Sequence, residues 1–94
     1  MAGLRLEDFA HLIGETWDID AGDGRSVPLR LDVAEALPRA VRPEGGFRLE
    51  WVGPAEPLLP QANYRFTRDG GACEMFIVPV AREAAGLRYE AIFN

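Results

Sequence analysis

From Glu15 onward the chain alternates: Trp17 and Ile19 are apolar while Thr16, Asp18 and Asp20 are polar, the two-residue period of a strand with one buried face. Ala21-Gly22-Asp23-Gly24-Arg25 breaks the period and predicts a turn. Val27, Leu29, Leu31 and Val33 then alternate with Pro28, Arg30 and Asp32, giving a second strand that forms a hairpin with the first. Pro28 has no amide hydrogen for a ladder, so its end of this strand is expected at a sheet edge. Phe47, Leu49 and Trp51 alternate with Arg48 and Glu50 in a third strand. Asn63 to Arg68 is a fourth, with Tyr64 and Phe66 inward, and Asp69-Gly70-Gly71 supplies a tight hairpin turn. Ala72 to Val80 is the fifth. No polar residue interrupts its stretch Met75-Phe76-Ile77-Val78-Pro79-Val80, which predicts burial on both faces. After a turn over Ala81 to Gly86, Leu87, Tyr89, Ala91 and Phe93 alternate with Arg88 and Glu90 in a sixth strand.

Before these strands, Phe9, Leu12 and Ile13 recur at helical spacing, with Glu7 and Asp8 placed where a helix dipole favours negative charge and Gly14 placed as a left-handed stop. A helix this short is not stable alone, so its apolar stripe is expected to plug the open end of a sheet or barrel. Ala34 to Gly46 and Gly53 to Gln61 are rich in proline and glycine and predict surface loops. The fold class is therefore mainly β: a small antiparallel six-stranded barrel or sandwich with one short N-terminal α-helix, in a single domain spanning residues 1–94. The first two strands should pair, and the fourth, fifth and sixth should form a meander. The pattern does not place the third.

With 94 residues, of which 48% are hydrophobic and 27% charged, the chain has the make-up of an ordinary soluble globule with one core. Its net charge of −5 disfavours nucleic acid, whose capture relies on neutralising phosphates. No run approaches a membrane span, so no membrane insertion is expected. Acidic residues stand where a signal peptide needs a basic start; the expected location is the cytoplasm, or an exported fibre reached without a cleaved signal. Cys73 is the only cysteine, which excludes an internal disulfide and a thiolate metal cluster within the chain.

Little else points to chemistry. Ser26, the one serine, lies beside a turn and His11, the one histidine, on the helix, so the two would meet as nucleophile and base only by accident of fold. Cys73 has apolar neighbours and no cationic company, the setting of a structural thiol. Asp18, Asp20 and Asp23 superficially resemble a calcium loop, but the spacing is wrong, no closing glutamate follows and the flanks are strands. The carboxylates Glu7, Asp8 and Glu50 form no specific dyad, and the glycine pairs lie between strands instead of opening a helix that could cradle phosphate. Trp17, Phe47, Trp51, Tyr64, Phe66, Phe76, Tyr89 and Phe93 are expected to fill a core. The chain is expected to be no enzyme and to need no cofactor.

Leu6-Glu7-Asp8-Phe9 with Leu12-Ile13-Gly14-Glu15, Gly53-Pro54 with Leu59-Pro60-Gln61 and Tyr64, Phe76-Ile77-Val78-Pro79-Val80, and the closing Leu87-Arg88-Tyr89-Glu90-Ala91-Ile92-Phe93-Asn94 together resemble a family of short bacterial domains of unknown function. The resemblance implies a stand-alone bacterial domain and, through an association with phage-tail-like fibre proteins, a part in fibre assembly or attachment. It brings no catalytic residue. The expected function is that of a non-enzymatic assembly or protein-interaction module, binding a protein partner or a copy of itself. The partner-binding residues are placed at Pro54, Pro57, Leu58, Leu59, Pro60 and Gln61, because prolines stiffen an apolar loop there and lower its ordering cost. The alternative is a small-molecule-binding barrel with an aromatic-lined cavity.

Overall fold

The computed structural model describes residues 4–38 and 45–94. Residues 1–3 and 39–44 lie outside the described residues, and with them the start of the N-terminal segment and the middle of the loop expected from Ala34 to Gly46. Among the described residues one short helix, α1 (Glu7–Ala10), precedes six strands: β1 (Thr16–Gly22), β2 (Arg25–Leu37), β3 (Gly46–Gly53), β4 (Ala62–Arg68), β5 (Gly71–Glu83) and β6 (Gly86–Phe93). Every pairing is antiparallel, and the strands close into a barrel in the order β1-β2-β3-β6-β5-β4. Alternation dictates the wall: Ile19, Leu29, Leu31, Leu49, Trp51, Phe66 and Ile77 point in and are fully buried, and the residues between them face out.

The third strand takes its place between β2 and β6, with Trp51 opposite Leu31 on one side and Tyr89 on the other. The closing seam between β1 and β4 consists of Asp18 opposite Thr67 and Ile19 opposite Phe66. Closure also revises the expectation for Pro28, because β2 is flanked by β1 and β3. Leu31 donates to Glu15 O and accepts from Gly14 N, so residues of its parity direct their amides to β1 and Pro28 faces the other way. There the pairing with β3 runs from Arg30 opposite Val52, so Pro28 stands just outside the ladder and withholds no needed donor.

Strands β2 and β5 run on further than the alternation suggests, through Ala34–Leu37 and through Ala81–Glu83, and each contains a bulge. The irregularity between Leu31 and Val33 moves the inward set from odd to even residues, so that Ala34 faces Leu49 and Ala36 faces Phe47. The one between Pro79 and Ala81 does the same in β5, leaving only Ala84 and Ala85 between the strands. Both Asp-Gly turns form as expected, with positive φ at Asp23 and Gly24 and at Asp69 and Gly70, the twist that suits two-residue hairpins.

Helix α1 is shorter than the spacing implies, at four residues, with Gly14 in the left-handed region at φ 93° after an irregular turn. Phe9 plugs this end of the barrel: it is 3% exposed, with ring centroids 6.4 Å from Trp17, 6.2 Å from Phe47 and 6.4 Å from Trp51. Leu12 packs partly against the core, whereas Ile13, expected on the same stripe, is exposed because the helix ends before it. The centre is aromatic, with Trp51 5.0 Å from Trp17 and 4.9 Å from Phe66. Among the described residues the Trp51 indole N–H has no hydrogen-bond acceptor; its surroundings offer ring faces. Among the described residues no helix is long and apolar enough to cross a membrane.

Candidate interaction surface

The topology separates the barrel into two ends. One carries α1, the β4–β5 turn and the end of β6. The other carries the β1–β2 turn, the β5–β6 turn and the loop from Pro54 to Gln61. This loop crosses from the end of β3 to the start of β4 and is pinned from both sides. The Leu59 N–H donates to Tyr89 Oη at 3.0 Å, and Tyr64 Oη donates to Pro60 O at 2.5 Å. Burial pushes the Tyr64 phenol up from its ordinary range, with Tyr89 adding to it, which keeps it a protonated donor. Arg82 Nη1 approaches Ala55 O at 3.4 Å.

These anchors divide the six residues expected to bind a partner. Leu59 is 3% exposed and belongs to the core, so it is withdrawn from any contact surface. Its removal from the set follows from the N–H bond to Tyr89, which draws the backbone inward and turns the adjoining Leu58 outward, at 52% exposure. Pro57, Pro60 and Gln61 are exposed, and Pro54 is half-buried beside an outer-wall cleft of about 320 Å³ shared with Pro28, Arg30 and Val52.

Strand β5 is not buried on both faces. Met75 and Ile77 point in, but Phe76 and Val80 are 49% and 48% exposed on the outer wall, and Ile92 of β6 is 50% exposed. A closed barrel buries only its inner face, and α1 sits over an end, not over this strand. The uninterrupted apolar run was the signal for these outward residues, and burial on both faces was the wrong explanation of it.

The residues considered for chemistry are scattered. His11 Nδ1–H donates to Glu7 O at 3.2 Å on the helix end, and Ser26 begins β2 beside the turn at the other end. Asp20 accepts from Gly22 N at 2.9 Å and Asp23 occupies the turn, which is hairpin chemistry. Among the described residues no group of three or more His, Cys, Asp or Glu side chains is placed to hold a metal ion. Cys73 is half-buried, and burial pushes its thiol up, with the charge of Asp8 adding to the effect. It lines a cleft of about 230 Å³ between α1 and the β4–β5 turn, together with Asp8, Trp17 and Arg68. The polar groups of that cleft are engaged: Asp8 accepts from Arg5 N at 2.8 Å, and Arg68 pairs with Glu15 at 2.9 Å and Asp69 at 3.1 Å while stacking over Trp17 at 5.3 Å.

Glu50 proves to be structural. It stands directly opposite Glu90 in the β3–β6 register, an arrangement that is repulsive unless neutralised. Arg48 and Arg88 on the neighbouring rungs do this. Arg48 pairs with Glu35, Glu50 and, at 3.2 Å, Glu90. Arg88 reaches Glu50 at 2.8 Å, Asp32 at 2.9 Å and Glu83 at 3.1 Å. The outer face of β2, β3 and β6 is thus a paired ionic lattice, in contrast to the apolar outer face of β5.

No curated protein and no solved structure matches the chain. A family model described as a domain of unknown function matches residues 4–93, nearly the whole sequence. The chain belongs to this family, DUF6916, a domain of unknown function.

Proposed function

We propose that the chain is a non-enzymatic assembly or protein-interaction module and that the loop from Pro54 to Gln61 makes the contact. The observation that carries this reading is Leu58, an exposed leucine on a loop whose next two residues, Leu59 and Pro60, are anchored to Tyr89 and Tyr64. A side chain presented in this way loses little conformational freedom when it is captured. Pro57, Pro60 and Gln61 extend the same exposed surface, and a role in building phage-tail-like fibres is the form of assembly that suits such a rigid building block. The small-molecule alternative requires interior space. Against it stands a barrel interior in which Phe9, Trp17, Trp51 and Phe66 touch ring to ring.

The test compares wild type with Leu58→Ser in affinity capture from the native host. The variant is expected to melt at the wild-type temperature and to lose a partner that the wild type retains. Equal capture of the same proteins by both would remove the loop as the contact site.

A further inference from the structure

The helix end of the barrel holds a cleft that no described side chain fills. Its walls are Phe9, Leu12, Trp17 and Phe66, with Cys73 on the β5 side and Asp8 at the rim, and its volume is about 230 Å³. An apolar space of about 150 Å³ already takes up a benzene-sized group, so this one admits a branched aliphatic side chain. Arg68 at its edge is engaged by Glu15 and Asp69. Asp8 is held only by the Arg5 N–H, and its carboxylate has no cationic partner among the described residues.

The opposite end of the barrel carries a matching group. Leu58 projects there at 52% exposure from a loop whose next two residues are anchored. Arg82 approaches the same loop at Ala55 O and makes no ion pair among the described residues. Glu56, two residues before Leu58, is exposed as well, and its counterpart at the cleft is Arg5, exposed between the lining residues Leu4 and Asp8. One end thus presents a leucine beside a base and an acid, and the other a leucine-sized socket beside an acid and a base. The two lie at opposite ends of one barrel, so a single chain cannot join them. We infer that the cleft between α1 and the β4–β5 turn is the socket for Leu58 of a second copy of this chain, with Arg82 of the incoming copy set against Asp8 and its Glu56 against Arg5. This rests on the reading of the loop as the contact site and names its partner.

Such a contact is heterologous: it joins the loop end of one copy to the helix end of the next, and leaves one socket and one leucine unused at the ends of every row of copies. Association therefore continues past the dimer. A contact built around one leucine and its flanking prolines falls well below the ~800 Å² per partner of a standard interface. Its dissociation constant is accordingly about 1 mM, and it is populated where copies are concentrated, as within an assembly.

Sedimentation velocity from about 20 µM to about 2 mM spans that value. The mean mass of the wild type is expected to rise with concentration without levelling at the dimer. Leu58→Ser removes the projecting group. Gly71→Leu fills the socket, at a position where an added Cβ meets only Arg68 O at 3.5 Å, an ordinary contact. Each variant should fold and stay monomeric. Mixed, they should form dimers and stop there, because one supplies only the socket and the other only the leucine. Oxidation of Leu58→Cys with diamide, which takes up the two electrons and two protons released as two thiols join, reads the geometry directly. Docking sets the introduced thiol beside Cys73 of the next copy, so the expected product is a ladder of dimers, trimers and longer species. A product that stops at the dimer and persists in Leu58→Cys/Cys73→Ala joins like positions and overturns the inference. So does a wild type that remains monomeric at the highest concentration, or a mixture of the two variants that does. Association lost in Leu58→Ser but kept in Gly71→Leu removes the socket and leaves the loop as the contact site, whereas wild-type association in both contradicts the loop as well.

Discussion

At Gly86 the backbone takes φ 135°, and a Cβ built there would sit 1.9 Å from Gly53 O and 3.1 Å from Gly53 C. Both obstacles are main chain locked into the β3–β6 rung that pairs Gly53 with Leu87, so no side-chain rotation relieves them. Gly86→Ala is expected to cost about 3 kcal/mol or more, lowering the melting temperature by more than about 10 °C. At Gly53 the nearest obstacle is Leu29 Cδ2 at 2.4 Å, the far end of a side chain that can rotate. Gly53→Ala should therefore cost about 1–2 kcal/mol, and thermal melts of the two variants side by side test the order. Cys73 gives a pH-dependent prediction. Its thiol is held above its ordinary range by burial first and by Asp8 second, so the folded state keeps a proton that the unfolded chain gives up. The resulting stabilisation is fully present below the unfolded thiol's pKa of about 8.5 and is lost as pH rises from there through the folded value. Chemical denaturation at rising alkaline pH should show wild type declining more steeply than Cys73→Ala; parallel curves would mean that the thiol is not perturbed.

Among the elements, the loop from Pro54 to Gln61 has two adjacent leucines with opposite roles, and paired substitutions separate them. Leu59→Ala removes buried volume from the core end and is expected to cost about 2–5 kcal/mol, whereas Leu58→Ala, on the surface, should stay within about 0.5 kcal/mol of wild type. Tyr89→Phe leaves the buried Leu59 N–H without its acceptor and should cost about 1–2 kcal/mol. Urea titrations followed by tryptophan emission measure all three. The sequence could not distinguish the two leucines, because the direction of an irregular loop depends on a hydrogen bond to a residue thirty positions away. The strands were legible where the period of two held, as from Trp17 to Ile19 and from Leu87 to Phe93. The pattern failed where bulges shifted the parity, at Leu31–Val33 and Pro79–Ala81, so Ala34–Leu37 looked like loop and Ala81–Glu83 like turn. Phe76 and Val80 were visible as apolar, but only barrel closure decided that they face solvent. The pairing of Glu50 and Glu90 with Arg48 and Arg88 depends on cross-strand register, which local spacing does not encode.

At the scale of the whole barrel, the rungs are unequally shared among the seams. The β3–β6 ladder runs unbroken from Phe47 opposite Phe93 to Gly53 opposite Leu87, and Phe47 and Phe93 stack at 4.4 Å. The β1–β4 seam has only Asp18 opposite Thr67 and Ile19 opposite Phe66, supported from outside by Thr67 Oγ1 donating to Asp18 O at 3.2 Å and by Arg68 bridging to Glu15 over the face of Trp17. A closed barrel opens where the fewest backbone bonds and packed side chains must part together, and that place is the β1–β4 seam. Amides at this seam should therefore exchange with deuterium through local opening, ahead of those in β3 and β6, which wait for global unfolding. Arg68→Ala removes the brace and its cover over Trp17 while leaving every inward side chain in place, and should accelerate exchange at Asp18–Asp20 and Phe66–Arg68 several-fold. Exchange in β3 and β6 should shift only by the small change in global stability. Residue-resolved exchange measurements decide the point: uniform protection around the ring, or equal acceleration of all six strands in the variant, would show that the barrel opens as one unit and that its weakest seam is not where the register places it.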